Sequence, residues 1–139
     1  MGHDLPLQGP SKDTWATKYQ LKEADGTIVD TDVNAMYRRV ARALASEETE
    51  NQDQWEESFF EVLQAGAVPA GRILSNVGAG HIKPSTSTIN CTVSDTIHDS
   101  MTDILGKVHE AGLTLKAGCG IGYEYSTLRP KGAHVTGPG

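Results

Sequence analysis

Thr86-Ser87-Thr88-Ile89-Asn90-Cys91-Thr92-Val93, then Asp99 to Leu115, then Ala117-Gly118-Cys119-Gly120-Ile121-Gly122-Tyr123-Glu124-Tyr125, closing on Leu128-Arg129-Pro130-Lys131-Gly132, form the stretch on which the fold turns. Within Ser85–Gly132 this succession reads as strand, helix, glycine loop, strand, with the second strand expected over Tyr123–Tyr125. It holds both cysteines and six of the fifteen glycines. Period-two alternation puts Ile89, Cys91 and Val93 on one face, which predicts a buried thiol at Cys91. In the intervening helix, Met101, Ile104, Leu105, Val108, Ala111 and Leu115 make one stripe, and Ser100 with Asp103 resembles a capping pair. Gly106 and Gly112 inside it each cost about 1 kcal/mol relative to alanine, which predicts a backbone packed closely against it, either the sheet or a helix of a second subunit.

Outward from this unit, 139 residues bound the chain to about one domain's worth of core. A net charge of −6 with only 12 basic residues leaves no nucleic-acid footprint. No apolar run approaches the roughly 18 residues a membrane span needs, so the expectation is a soluble, cytoplasmic protein without a membrane partner. The chain stops at Thr136-Gly137-Pro138-Gly139 after a predicted strand, which reads as a fragment of something longer or as a short tail.

Upstream, residues 1–13 lack periodicity and are expected as a loose arm, with Leu5 and Leu7 available to dock it. Tyr19 to Val29 reads as a short hairpin around Asp25-Gly26. Thr31 or Asp32 is placed to cap a helix with Val33, Met36, Tyr37, Val40, Ala41 and Leu44 on its apolar face and Arg38, Arg39 and Arg42 on a solvated one. Trp55, Phe59, Val62 and Leu63 form the core stripe of a second helix that Gly66 ends. This arm, hairpin and helical subdomain spans 1–68. From Pro69 to Pro84 the small residues, Ala70-Gly71-Arg72-Ile73-Leu74-Ser75-Asn76-Val77-Gly78, suit either a ligand-wrapping loop or a linker.

The chemical candidates are few. Cys91 in a strand is by itself most simply an inert hydrophobe. Cys119, between two glycines, is either accessible or a filler. The Gly118, Gly120, Gly122 spacing is not the dinucleotide fingerprint, which has a wider second gap and opens a helix. The five histidines stand at no metal-ligand spacing, so no metal site is expected. Arg129 and Lys131 flank a turn. They are either solvated cations, or Arg129 faces Asp99 to make a phosphate and ribose site.

Pro84 through Val93, Asp99-Ser100-Met101 and the run from His109 to Gly132 together resemble the catalytic subunit of ribonucleotide reductase, most closely the adenosylcobalamin-dependent class II branch. Pro69 to Gly78 and the helical N-terminus fit the same family. The resemblance implies a mixed α/β chain: a helical N-terminal subdomain followed, over 69–139, by the first strands and helix of a truncated ten-stranded α/β barrel. It implies that Cys91 is one of the cysteine pair that reduces the ribose, and that Ser75, Asn76, Asn90 and Gly120 line the nucleotide pocket. Asp99, Ser100, Arg129 and Lys131 would hold a deoxynucleoside triphosphate effector, with Lys131–Gly137 on the specificity loop.

The same resemblance implies a homodimer through helix 100–117 and adenosylcobalamin in the complete enzyme. It also implies a remainder of the subunit that carries the second reducing cysteine and the radical cysteine, so this chain alone is expected to be inactive. The alternative is a non-catalytic nucleotide-binding or assembly module that keeps the effector site and dimer helix. The reading turns on a thiol at Cys91 set on an inward-facing strand beside the triple-glycine turn; a sulfur pointing to bulk solvent, or lodged in a helix far from that turn, would overturn it.

Overall fold

The computed structural model describes residues 7–84 and 86–137. They fall into two compact units, one running to Thr88 and the other from Ile89. Leu5, the end of the chain after Gly137 and position 85 lie outside the described residues.

The first unit is helical: α1 (Gly9–Lys18), α2 (Val33–Ala45), α3 (Gln52–Gln64) and the short α4 (Gly71–Asn76). Helix α1 corrects the loose arm expected through residue 13. Pro10 lies in its first turn, where a fixed φ and a missing N–H do no harm. No residue of α1 is buried, so it shows no apolar period in the sequence. The hairpin shrinks to a single antiparallel bridge, Lys22 with Ile28, around Gly26 at φ +90°.

Asp32 caps α2, its Oδ1 accepting from Ala35 N at 2.8 Å. Val40, Ala41 and Leu63 form the core, with Tyr37, Phe59, Phe60, Ile73 and Val77 packed on it. The α3 stripe is therefore corrected: Phe60 joins the core, whereas Trp55 and Val62 stay exposed and Trp55 stacks on Phe59 at 5.5 Å. Gly66, at φ +100°, ends α3 as expected, with Gly66 N bonded to Leu63 O and Ala67 N to Val62 O. Arg38 and Arg42 do lie at the surface, bridging α2 to Glu57 and Glu56 of α3. Arg39 does not: its side chain is only 10% exposed and pairs with a 3% exposed Asp30. It sits next to Val40 on the helix, so its stem borders the apolar stripe and its head is drawn inward by that carboxylate.

The second unit is a β–α–β crossover: β1 (Cys91–Val93), α5 (Met101–Lys116) and β2 (Gly120–Gly122). The strands are parallel, in register Cys91–Gly120, Thr92–Ile121 and Val93–Gly122. Parallel neighbours require a crossover, and α5 supplies it. Both strands are shorter than the sequence predicts, and β2 occupies the glycines themselves rather than Tyr123–Tyr125. Ser100 Oγ accepts from Asp103 N at 3.2 Å, the cap the sequence signals, while the Asp103 carboxylate accepts from His98 N and not from Ser100 N. No residue of α5 is buried. Met101, Leu105, Val108, Leu113 and Leu115 are all exposed, Met101 at 69%. A Cβ on Gly106 or Gly112 would meet nothing within 4 Å, so the close backbone partner is not the sheet of this chain. The described residues are thus mixed α/β, a helical unit followed by a unit of two parallel strands and a helix.

Candidate functional site

In the second unit the parallel register sets Cys91 directly beside Gly120. The Cys91 sulfur lies 3.1 Å from the point where a Gly120 Cβ would stand, and Asn90 Nδ2 is 3.9 Å from the same sulfur. The ladder is extended at both ends, by Gly120 N donating to Asn90 O at 3.0 Å and Ser94 N to Gly122 O at 2.9 Å. Asn90, Cys91 and Gly120 are therefore brought together.

Burial is not as predicted. Cys91 is exposed, and so are Ile89 and Val93, the latter at 80%. The alternation is real, but among the described residues nothing covers the face that carries it. The thiol thus meets one of its two expectations, lying next to the triple-glycine turn without being buried. Cys119 is the buried cysteine, at 6% exposure, and its Sγ donates to Ile89 O at 3.0 Å. It fills and ties down the loop, which decides between the two readings the sequence left open.

Arg129 and Asp99 do face each other. Arg129 Nε donates to Asp99 Oδ2 at 2.7 Å, with longer contacts from Nη1 to His134 O and Nη2 to Asp99 O at 3.4 and 3.5 Å. Both side chains keep about a third of their surface in solvent, at 38% and 34%. Ser100 caps the helix as expected, so its hydroxyl is already engaged by Asp103 N. Lys131 is exposed in the turn that follows. Tyr123 OH donates to Lys107 O at 3.1 Å, and desolvation with the nearby Glu110 carboxylate raises its phenol above the ordinary value.

Ser75 and Asn76 belong to the first unit, on the last turn of α4. Asn76 is buried and its Nδ2 donates to Ser87 O at 2.7 Å. The carbonyls around this pair are held by side chains that sequence reasoning missed. Arg39 Nη2 donates to Leu74 O at 2.9 Å, Arg39 Nη1 donates to Val77 O, and Lys83 Nζ donates to Ser75 O at 3.1 Å. Burial, with Arg39 nearby, lowers the Lys83 ammonium below its ordinary range. No local signal points to this cluster, because Asp30 and Arg39 reach it from other elements.

An apolar cavity of about 370 Å³ also opens in the first unit, lined among others by Trp15, Tyr19, Met36, Tyr37 and Leu74. No cation lines it, so it offers a nucleotide's phosphates nothing. Trp15 Nε1 is buried with no hydrogen-bond partner among the described residues.

Comparison with known families matches residues 9–81 to "Ribonucleotide reductase, all-alpha domain" and residues 89–139 to "Ribonucleotide reductase, barrel domain". No curated protein matches the chain.

Proposed function

Because the chain belongs to the ribonucleotide reductase large-subunit family, its all-α domain followed by the start of the barrel domain, we propose that Cys91 is a reducing thiol of ribonucleotide reduction. One observation carries this reading: the sulfur stands against a glycine, on a strand edge where any larger residue at position 120 would crowd it. In the reaction, Cys91 and a second cysteine thiol give up two electrons and two protons and close a disulfide. The ribose 2′-hydroxyl leaves as water and hydrogen takes its place on carbon, after a thiyl radical has activated the sugar. Asn90 and Gly120 line the nucleotide pocket in this reading; Ser75 and Asn76 of the first unit are assigned to substrate binding on the family resemblance alone.

The sequence has two cysteines, and Cys119 is buried with its thiol committed to Ile89 O. Neither a second reductant nor a radical thiol is therefore at hand within these residues, and the 139-residue chain alone is inactive. In the complete reductase, Cys91→Ser abolishes turnover with a dithiol reductant; undiminished turnover by that variant, or any turnover by the isolated chain, refutes the proposal.

Adenosylcobalamin is retained as the cofactor of the complete enzyme alone. Among the described residues no group of three or more His, Cys, Asp or Glu could hold a metal. The cavity of about 370 Å³ lies at the small end of the range for drug-sized ligands, well short of a corrin. These residues do not fit the cofactor.

The regulatory half of the proposal places a deoxynucleoside triphosphate at Asp99, Ser100, Arg129 and Lys131. Support comes from a guanidinium with about a third of its side chain in solvent and long Nη contacts, leaving donors for phosphate oxygens. The exposed apolar face of α5, with open space over Gly106 and Gly112, supports a homodimer through helix 100–117. Titration calorimetry with the four deoxynucleoside triphosphates tests the effector site: binding is lost in Arg129→Ala and weakened in Asp99→Ala. The exposure of Cys91 favours a second reading, a nucleotide-binding or assembly module without catalysis, in which effector binding survives and Cys91→Ser changes nothing.

A further inference from the structure

We propose that Arg39, oriented by Asp30, is a positioning residue for the substrate nucleotide: it fixes the backbone on both sides of Ser75 and Asn76. This rests on the reading above that those two residues line the nucleotide pocket.

The last carbonyls of a helix have no partner within it. At the end of α4 each finds one, and cations supply most of them. Leu74 O accepts from Arg39 Nη2 at 2.9 Å and Ser75 O from Lys83 Nζ at 3.1 Å. Asn76 O accepts from Ala79 N at 3.1 Å, and Val77 O accepts from Arg39 Nη1. A single guanidinium therefore grips the chain just before and just after the Ser75-Asn76 pair.

The guanidinium is itself immobilised. Asp30 receives its Nε on one oxygen at 3.1 Å and its Nη2 on the other at 2.8 Å, a bidentate fork. The second of those oxygens also accepts from Leu21 N at 3.1 Å. Gly78, at φ +72°, lets the turn lie so close to α2 that a Cβ there would stand 2.9 Å from Arg39 Cγ.

A buried ion pair is often replaceable by apolar residues with no loss of stability. The donors here are spent on a named backbone segment instead, the arrangement by which a supporting shell holds binding groups within about 0.5 Å of their working geometry.

The test uses the complete reductase and compares Arg39→Met, Arg39→Lys, Asp30→Asn and Ser75→Ala by steady-state kinetics, with amide exchange over residues 74–79. Arg39→Met is expected to raise the ribonucleotide KM about tenfold, as loss of about one hydrogen bond to the nucleotide would, with kcat far less affected. Arg39→Lys restores part of the loss, and exchange at Val77 and Ala79 quickens in step with KM. If Arg39→Met fails to fold, Asp30→Asn, which keeps shape and loses charge, carries the test in the same direction. A raised KM in Ser75→Ala beside an unchanged KM in the Arg39 and Asp30 variants overturns this inference alone. An unchanged KM in Ser75→Ala overturns the pocket reading, and this inference with it.

Discussion

Asp30 Oδ2 lies 2.8 Å from Arg39 Nη2, a near-dry ion pair that joins the turn after Leu21 to helix α2 and, through Arg39, to the carbonyls of Leu74 and Val77. Removing one partner strands the other as a buried charge. Asp30→Ala is expected to destabilise the first unit by about 3–5 kcal/mol, the range for a broken buried pair. Urea unfolding reads it, and a loss below about 1 kcal/mol, the level of a surface pair, would mean that the site is wetter than it looks.

Gly78 combines a left-handed φ of +72° with contacts of 2.9 Å to Arg39 Cγ and 3.0 Å to Arg39 O for any added Cβ. Gly78→Ala therefore meets both backbone strain and overlap with a backbone oxygen that has nowhere to go. A loss of about 2 kcal/mol or more is expected, since the left-handed conformation by itself accounts for about 1 kcal/mol or more. Gly26→Ala, at φ +90° but with nothing within 4 Å, isolates the strain component and should lose less.

Gly120→Ala should shield the thiol it faces. The added Cβ comes to 3.1 Å from Cys91 Sγ, so the sulfur must give by a few tenths of an ångström. Stability should change by only about 1 kcal/mol, because the sulfur lies on an exposed face and has room to turn. The rate of Cys91 alkylation, measured against Cys119 as an unreactive internal reference, should fall. A faster rate would show that the glycine screens the sulfur rather than opening it.

Lys83 gives the first unit a pH signature. Burial lowers its folded pKa below the ordinary 10.5, so between the folded and unfolded values the unfolded chain binds more protons and stability rises with pH. Below the folded pKa the penalty of the buried ammonium is present in full. Lys83→Met should flatten that alkaline rise in chemical-denaturation curves; an unchanged slope would assign the rise to other groups.

The exposed leucines of α5 should be sensitive to oligomeric state. Leu105→Glu is expected to leave the helix intact, since its Ser100–Asp103 cap is untouched. It should shift sedimentation toward the monomer if Leu105 and its apolar neighbours are the paired face. Equal sedimentation of the parent and the variant would remove α5 from the interface.

Local chemistry made much of this chain legible in the sequence. Asp32 and Ser100 announce two helix starts, Gly66 a helix end, and the β–α–β order follows from apolar period and glycine punctuation. Each of these signals acts over a few residues, through hydrogen bonds to the nearest free backbone groups, so it survives in sequence. The grouping of Asn90, Cys91 and Gly120 came from the family resemblance and not from strand pairing, since local signals placed the second strand at Tyr123–Tyr125 and not at the glycines.

What depends on contacts between distant residues was not legible. Helix α1 buries nothing fully, so no period marked it; Trp55 and Val62 carry an apolar stripe that the fold leaves outside. Arg39 reads as surface charge until Asp30, nine positions earlier, is folded against it. The exposure of Cys91 likewise follows from which surfaces cover β1, a property of the packing around the strand rather than of its residues. The sequence by itself determined the caps and the strand–helix–strand order of the second unit, since these rest on residue type and spacing, and its motifs carried the family resemblance. Only the tertiary structure decided which charges are buried, which thiol is open and what grips the Ser75-Asn76 turn, because burial is a sum over neighbours that sequence distance does not rank.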